Sequence, residues 1–343
     1  MAIRLKDIAD DLKLSVVTIS KVLRDHPDIS AETRERVLKR IKEVNYRPNL
    51  TARALVTGRT FAVGLVVPDL VHPFFGQVAR ALSSVLRLEG FSLVLASSED
   101  DPELEQQEIE QLVARRVDVL IVASTQRGGE SFRSLDRQHV PYVLIDRRFK
   151  DLPAHFVGVN DVQVGRIAAE HIVSAGCDRV AFIGGPDVST SLGRLQGYRE
   201  TLRAKGKRER DEYVIMRERG DYAGEASGYA AAMRLLKLHP IPDGIFCFND
   251  PTAMGAMKAV LEAGLHVPGD VAIMGCGNVT YADFLRVPLT SVDQQSDKIG
   301  QRAGRLALSL LEQRPARAKQ VLLEPTVIER ASTKRSKSRK RKP

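Results

Sequence analysis

The chain has 343 residues, of which 43% are hydrophobic, and a formal net charge of +9. This length predicts two or three domains whose cores are large enough to fold without disulfides. The sequence has no apolar run long enough to span a bilayer and no signal-peptide pattern, so we expect a cytoplasmic protein without a membrane partner.

The positive charge is concentrated at the two ends of the chain. Residues 1–60 carry a net charge of +5 and residues 331–343 carry +7, whereas residues 61–330 carry −3. Clustered lysine and arginine attract polyanions such as nucleic acids. The sequence therefore predicts nucleic-acid contacts at the ends of the chain and a different role for its middle.

Cysteine and histidine placement excludes several classes of protein. Cys177, Cys247 and Cys276 lie far apart and form no Cys-x-x-Cys pair, which argues against a disulfide framework and a zinc site. The seven histidines have no metal-ligand spacing, and the common motifs of hydrolases, metalloproteases and nucleotide-binding enzymes are missing. We therefore predict neither an enzyme nor a protein that holds a metal or other cofactor.

Two short helical patterns meet at a tight turn between Leu5 and Val22. Apolar residues recur every three or four positions from Leu5 to Leu12, and Ser15 has the side chain of an N-cap for the second helix. Helices this short must bury their apolar faces against each other and a third helix. The pattern predicts a helix-turn-helix whose second helix enters a DNA major groove, although any small helical domain also contains helix pairs.

A third helix and a short fourth helical pattern follow. Ser30 is the predicted N-cap of the third helix, whose apolar face includes Val37 and Ile41 and which ends at residues 45–48. Residues 49–59 have about two turns of helical pattern, too few for a helix that is stable without a partner.

The segments KDIADDLKLSVVTISKVL, ISAETRERVLKRIKEVNYRPNLTARAL and TFAVGLVVPDLVHPFF together resemble the lactose-repressor (LacI/GalR) family of bacterial transcription regulators. The resemblance extends from residue 3 to about residue 330. It implies a headpiece that binds DNA, a hinge helix that folds on the operator, and a ligand-sensing core similar to periplasmic sugar-binding proteins.

Strand and helix patterns from Phe61 onward support such a core independently. One set of apolar segments comprises FAVGLVV, FSLVLAS, DVLIVAS, PYVLI and HFVGV, and a second comprises RVAFIGG, EYVIM, GIFCFN and VAIMG. Nearly unbroken apolar strands separated by amphipathic helices are typical of parallel sheets covered on both faces. We therefore predict an α/β protein with a three-helix helix-turn-helix headpiece, a hinge helix and a two-subdomain, periplasmic-binding-protein-like (type I) core.

The predicted boundaries combine these patterns with the resemblance. They are residues 1–48 for the headpiece, 49–60 for the hinge helix and linker, 61–330 for the ligand-sensing and dimerisation core, and 331–343 for a disordered basic tail. The resemblance implies that the first subdomain comprises about residues 61–158 and 291–319 and the second about 159–290 and 320–330. The segment LTSV and the helix Gln294–Gln313 are thus expected in the first subdomain, and a strand at Gln320–Glu324 in the second.

The resemblance also indicates which residues contact DNA. Val16, Val17 and Lys21 occupy the family's base-reading positions, where the two valines offer only apolar contacts and Lys21 can donate to a guanine or a phosphate. Ser15, Thr18 and Ser20 lie on the same helix, and the last two are candidate phosphate ligands. Arg4 stands in place of the usual capping threonine and Lys13 in place of the usual turn glycine.

Hinge residues complete the predicted interface. Leu55 matches the leucine that the family wedges between central base pairs from the minor groove, which kinks the duplex. Asn49 is the capping residue of the hinge, Ala52 allows two hinge helices to approach, and Arg53 is expected near phosphates. Two such hinges on the axis of a homodimer need double-stranded DNA with a palindromic operator and a deformable central step.

Effector residues are expected where the strands end at the crevice between the subdomains. By position they are Asp69, Phe74, Asp146, Arg194, Asn249 and Asp250. Their carboxylate, guanidinium and amide groups suit a small polar effector such as a sugar or a nucleobase. Gly277 replaces an acidic residue that commonly holds a sugar hydroxyl in the family, so a regulator with a protein co-effector or without a small ligand is the alternative.

The basic tail, KRSKSRKRKP, has no apolar heptads. We therefore expect a dimer rather than a tetramer linked by a coiled coil. A binding protein of the transport type is the remaining rival, which the headpiece and the missing signal peptide argue against.

Overall fold

The computed structural model describes residues 3–23, 26–46, 54, 57–218, 224–313, 315 and 317–335. The chain forms two compact units, residues 1–60 and residues 61–343.

The first unit contains three helices, α1 (Leu5–Leu12), α2 (Val16–Leu23) and α3 (Ala31–Glu43). Ile8, Ile19 and Val37, one from each helix, are completely buried against one another. The Ser30 hydroxyl accepts a hydrogen bond from the backbone N–H of Thr33 and so caps α3, as the sequence predicts. Each helix alone would be unstable, so this small shared core holds the unit together.

The turn between α1 and α2 is made by a residue in a left-handed conformation. Lys13 has φ 53° and ψ 42°, and its N–H donates to the Asp10 carbonyl oxygen. This conformation costs a residue other than glycine roughly 1–2 kcal/mol. The helix-turn-helix therefore keeps its usual turn geometry even though Lys13 replaces the turn glycine.

The first subdomain of the second unit is an α/β layer structure. Its elements are β1 (Ala62–Val67), α4 (Pro73–Leu88), β2 (Ser92–Ser97), α5 (Pro102–Ala114), β3 (Val119–Val122), α6 (Glu130–Arg137), β4 (Tyr142–Ile145) and β5 (His155–Val159). The strands pair in parallel in a six-stranded sheet of order β11-β5-β4-β3-β1-β2, in which β11 is Gln320–Leu323. Strands β3 and β4 are completely buried because helices cover both faces.

The second subdomain repeats this architecture. Its elements are α7 (Asp161–Ser174), β6 (Val180–Ile183), α8 (Ser189–Ala204), β7 (Val214–Ile215), α9 (Glu225–Leu235), β8 (Gly244–Cys247), α10 (Asp250–Glu262), β9 (Ala272–Cys276) and β10 (Thr290–Asp293). Helix α11 (Ser296–Glu312) then returns to pack on α4, and β12 (Thr326–Ile328) joins the second sheet. The order of the second sheet is β12-β10-β9-β8-β6-β7, and only the β10–β12 pair is antiparallel.

All nine strand segments named from the sequence are strands in the structure, but two later segments join the opposite sheet from the one expected. The segment LTSV forms β10, which pairs with β9 in the second sheet. The strand at Gln320–Leu323 forms β11, which pairs with β5 in the first. Seven residues of sequence separate α11 from β11, and neighbouring elements in sequence tend to pack together. The crossings between subdomains therefore lie near Asn160, Gln295 and Glu324.

Residues 331–335 are ordered, contrary to the expectation of a tail that begins at 331. Ala331–Thr333 form a 3-10 turn in which Ser332 is completely buried. The Ser332 hydroxyl accepts from the Thr290 N–H and donates to the Ile273 carbonyl oxygen, and Arg335 donates to the carbonyl oxygens of Gly176 and Gly269. These bonds hold the segment against the second subdomain. Residues 336–343 of the expected tail lie outside the described residues.

Candidate DNA-binding and effector sites

Helix α2 presents its predicted DNA-reading face to solvent. The side chains of Val16 and Val17 are exposed, whereas Ile19 on the opposite face is buried. The Ser15 hydroxyl accepts a hydrogen bond of 3.0 Å from the Thr18 N–H, which caps the helix, and it also bonds the Thr18 hydroxyl over 2.8 Å. Two exposed valines at the start of a capped helix present an apolar surface of the kind that contacts thymine methyl groups.

Lys21 lies one turn further along α2 and forms an ion pair. Its Nζ is 3.2 Å from Asp28 Oδ2, and both side chains are at least one-third exposed. Exposed pairs of this kind contribute about 0–1 kcal/mol, so Lys21 can exchange Asp28 for a base or a phosphate at little cost. Ser20 is half-buried beside it.

The predicted hinge residues Asn49, Ala52, Arg53 and Leu55 lie outside the described residues. Ala54 and Thr57 are helical, and the Gly58 N–H donates to the Ala54 carbonyl oxygen over 2.8 Å.

A cavity of about 240 Å³ lies in the crevice between the two subdomains of the second unit. Its walls include the carboxyl ends of parallel strands from both sheets, which is the usual ligand position in this architecture. Five of the six predicted effector residues line it: Asp69, Phe74, Asp146, Arg194 and Asn249.

Arg194 is the most deeply buried cation of the crevice. Its Nε donates to Asp161 Oδ1 over 3.1 Å, and its Nη1 donates to the Phe248 carbonyl oxygen over 2.6 Å. Burial raises the pKa of Asp161 to about 7, although the charge of Arg194 opposes that rise. Both bonds fix the guanidinium in position, and no partner within the described segments occupies its Nη2.

Asp69 and Asp146 supply acceptors from the first subdomain. Asp69 follows β1, and its Oδ1 accepts from the Val71 N–H over 2.7 Å. Asp146 follows β4 in a left-handed conformation, with φ 60°, which aspartate tolerates better than most residues. Phe74 is 4% exposed and packs edge-on against Phe75, so most of its ring belongs to the core.

Asn249 contacts His72, a crevice residue that sequence reasoning missed. Asn249 caps α10, with Oδ1 accepting from the Thr252 N–H, and its Nδ2 lies 3.0 Å from His72 Nε2. The Phe74 N–H points to the other ring nitrogen of His72, Nδ1, over 3.3 Å. Burial lowers the pKa of His72, and a neutral imidazole has a single acceptor nitrogen. Two donors thus compete for one acceptor where the subdomains meet.

Asp250, the sixth predicted effector residue, does not line the cavity. It is completely buried, where its Oδ1 accepts from the Ser291 hydroxyl over 2.6 Å and its Oδ2 accepts from the Val279 N–H over 2.8 Å. Burial raises its pKa to about 6, against the effect of these bonds. At the start of α10 the backbone turns Asn249 toward the crevice and Asp250 toward the interior, so Asp250 holds the loop after β9.

The backbone conformation of that loop explains why position 277 is a glycine. Gly277 has φ 127°, a conformation that side-chain-bearing residues rarely adopt, and its N–H donates to the Val292 carbonyl oxygen over 2.8 Å. An acidic residue would therefore be strained on this backbone.

Four further crevice residues were missed by sequence reasoning: Asp100, Arg147, Arg217 and Gln294. Asp100 belongs to the first subdomain and Arg217 to the second, and Asp100 Oδ2 accepts from Arg217 Nη2 over 2.5 Å. Arg147 Nη1 donates to Asp100 Oδ1 over 3.3 Å. Asp100 and Arg217 come shortly after β2 and β7, so a search of every strand end would have found them.

A helix-turn-helix unit followed by a two-subdomain core with a polar crevice defines the class of ligand-responsive DNA-binding regulators. Residues 4–49 match the family model "Bacterial regulatory proteins, lacI family", and residues 169–333 match "Periplasmic binding protein-like domain". The chain is 31% identical to the ribose operon repressor of Halalkalibacterium halodurans, over 96% of this chain and 97% of that protein.

Two solved structures of regulators are similar to this chain over nearly its whole length. The transcriptional regulator CelR in complex with cellobiose is 29% identical, with a TM-score of 0.73 over 96% of this chain and 99% of that chain. The lac repressor dimer bound to operator and to the anti-inducer ONPF has the same fold, with a TM-score of 0.85 at 24% identity over 97% and 99% of the two chains.

The chain belongs to the LacI family of bacterial regulatory proteins. It is a DNA-binding transcriptional regulator, and the relatives named above are repressors and regulators rather than enzymes. Within the described ranges, no helix has the length and apolar character needed to cross a membrane.

Proposed function

We propose that the protein is a cytoplasmic, non-enzymatic repressor that binds a palindromic operator as a homodimer. Its operator affinity is set by a small molecule in the crevice between the subdomains. We base this on one observation, that a capped recognition helix with an exposed Val16–Val17 face is part of the same chain as a crevice lined by Asp146, Arg194 and Asn249.

The headpiece contributes base readout that is poor in hydrogen bonds. Val16 and Val17 contact thymine methyl groups, Lys21 leaves Asp28 for a guanine or a phosphate, and Ser15, Thr18 and Ser20 lie toward the backbone. By resemblance to the family, Leu55 enters the minor groove at the dyad, with Asn49, Ala52 and Arg53 around it. Readout of this type predicts thymine-rich half-sites.

The crevice makes operator affinity respond to the small molecule. Polar contacts already join the two subdomains, between His72 and Asn249, between Asp100 and Arg217, and between the Arg148 N–H and the Ser189 hydroxyl over 3.0 Å. A ligand that binds one relative orientation of the subdomains more tightly shifts the population toward it, and operator affinity changes by the difference in binding free energy. Arg147 Nε, Arg217 Nε and Gln294 Nε2 in the crevice are buried donors without a hydrogen-bond partner among the described residues, which favours a small molecule over a protein co-effector.

Selection of bound duplexes from random DNA tests the DNA-binding part. We expect an inverted repeat with a central pyrimidine–purine step, bound by a dimer in sedimentation. The Lys21→Ala variant distinguishes two roles: loss of a phosphate contact lowers the slope of log affinity against log salt by about 1 on every sequence, whereas loss of a base contact relaxes the preference at one position. A monomer, or equal binding of shuffled duplexes at moderate salt, would contradict the proposal.

A further inference from the structure

Three side chains of the crevice have buried polar atoms without a hydrogen-bond partner in the described part of the chain. They are Arg147 at Nε, Arg217 at Nε and Gln294 at Nε2. Gln294 is 4% exposed, and its Oε1 accepts from the Cys276 thiol, which leaves the Nε2 donor unused. All three unpaired atoms are donors, and a buried donor without an acceptor is unfavourable.

The two arginines share one internal acceptor. Asp100 directs one carboxylate oxygen to Arg147, from its own subdomain, and the other to Arg217, from the opposite subdomain. Arginine binds carboxylates and phosphates best through two parallel N–H bonds. Here each guanidinium uses a single nitrogen toward Asp100, so both retain capacity for a further anion.

Charge at this end of the crevice also permits an anion. The side chains of Arg147 and Arg217 are 8% and 12% exposed, and Asp100 supplies one negative charge against their two positive charges. Burial works to raise the pKa of Asp100, but the charges of the two arginines outweigh it and lower that pKa. The nearest second carboxylate is that of Asp146, whose Oδ2 lies 3.9 Å from Arg147 Nε. That ion pair lies beyond hydrogen-bond distance, so Asp146 compensates the second positive charge without satisfying the Nε donor. Gly277 further means that the usual acidic side chain is missing from the loop after β9.

We propose that the effector is an organic anion, a sugar acid or a phosphorylated sugar, whose acidic group binds Arg147 and Arg217 beside or in place of Asp100. Gln294 Nε2 donates to an oxygen of the same ligand, while Asp69 and Asp146 accept from its hydroxyl groups. This specifies the ligand class of the crevice and rests on the proposed function, in which the crevice is the effector site. Asp100 is then an internal competitor that occupies the arginines in the absence of effector.

Calorimetry on the purified full-length protein tests this with matched pairs. The probes are glucose, gluconate and glucose 6-phosphate, ribose and ribose 5-phosphate, and orthophosphate as the minimal anion. We expect at least one anion to bind about tenfold or more tightly than its neutral partner. The Arg217→Gln variant should weaken that binding about tenfold or more, and Asp100→Asn should strengthen it.

Two controls accompany these variants. Arg80→Gln removes an arginine that is 72% exposed and pairs with Asp297 outside the crevice, and it should leave anion affinity unchanged. Thermal unfolding followed by circular dichroism confirms that each variant is folded. The proposal is overturned if neutral sugars bind as tightly as their acids, if Arg217→Gln binds anions like the wild type, or if no anion binds either the wild type or Asp100→Asn.

The same titrations separate this inference from the proposed function. A neutral sugar that binds and changes operator affinity contradicts the proposal of an anionic effector. It still supports the proposed function, in which the crevice regulates operator binding. An anion that binds at Arg217 without changing operator affinity supports the ligand class and contradicts the regulatory role of the crevice.

Discussion

The guanidinium carbon of Arg194 lies 4.7 Å from the centroid of the Phe248 ring, and Arg194 Nη1 also donates to the carbonyl oxygen of Phe248. A cation over an aromatic face is attracted by the ring quadrupole. Together with the Asp161 ion pair, these contacts hold one guanidinium at the wall of the crevice from three sides.

Arg194→Ala should abolish the effector response and lower the free energy of unfolding by about 3–5 kcal/mol, because Asp161 is left buried without its partner. Adding Asp161→Asn to this variant should recover much of the stability but none of the effector binding. Chemical denaturation and ligand titration measure the two effects separately. Effector binding restored by the double variant would show that Arg194 acts only through stability.

Gly165→Ala should destabilise the second subdomain and weaken effector binding. A Cβ at Gly165 would lie 2.0 Å from the Arg194 carbonyl oxygen, so α7 and α8 must separate and Arg194 must move. Overpacking of this kind costs typically about 1–3 kcal/mol. Gly76→Ala is the matched control, because a Cβ there meets nothing within 4 Å on helix α4, and it should stabilise the fold by about 0.5–1 kcal/mol. Thermal unfolding measures both effects. If both variants shifted the melting temperature in the same direction, this packing would be contradicted.

Lys13→Gly should stabilise the headpiece by about 1 kcal/mol, since glycine adopts the left-handed conformation of Lys13 without the steric cost. Thermal unfolding followed by circular dichroism checks this on the whole chain. Lys39→Gly, in the middle of α3, is the opposite control and should destabilise the headpiece by a similar amount. A headpiece made less stable by Lys13→Gly would mean that the lysine side chain makes a contact worth more than the strain.

Asp250→Asn should stabilise the protein at neutral pH and less so in acid. The pKa of Asp250 in the folded chain is about 6 against an ordinary value of 3.8, so the folded chain holds a proton that the unfolded chain has released between these values. The contribution of this group to stability is therefore greatest below about pH 4 and falls by ~3 kcal/mol as pH rises through 6. The asparagine removes this slope because an amide does not titrate in this range. Its oxygen can accept from the Val279 N–H while its NH2 group donates to the Ser291 hydroxyl.

Urea denaturation of wild type and Asp250→Asn at several pH values measures the difference. Asp297→Asn, at a half-exposed carboxylate on α11, is the control. A difference between wild type and Asp250→Asn that does not change with pH would contradict the raised pKa.

Local features of the fold could be predicted from the sequence. Ser15 and Ser30 cap the helices that they precede, and the apolar segments form strands, because caps and short buried strands depend mainly on neighbouring residues. The sheet that β10 or β11 joins could not be predicted, because both segments have the same apolar pattern and their pairing depends on contacts distant in sequence.

The candidate site, too, could be predicted from the sequence only in part. Strand ends identify Asp69, Asp146 and Asn249 as crevice residues, and the family resemblance adds Arg194 on α8. Strand ends also suggest Asp250, since only the backbone direction at the start of α10 distinguishes it from Asn249. The contact between Asp100 and Arg217 joins residues 117 positions apart. Strand ends indicate each of these residues separately, but nothing in the sequence pairs the two, so their contact required the folded chain.

The turn at Ala331–Thr333 bears on any attempt to remove the basic end of the protein. Cutting the chain after Glu329 would take away Arg330, which donates to Asn278 and to the Leu289 carbonyl oxygen, as well as the buried Ser332. The strand β10 would lose its hydrogen-bond partners in that segment, and aggregation of the shortened protein would then be mistaken for a contribution of the tail to DNA binding. A cut after Arg335 removes five of the seven basic residues of this region and keeps every one of those bonds.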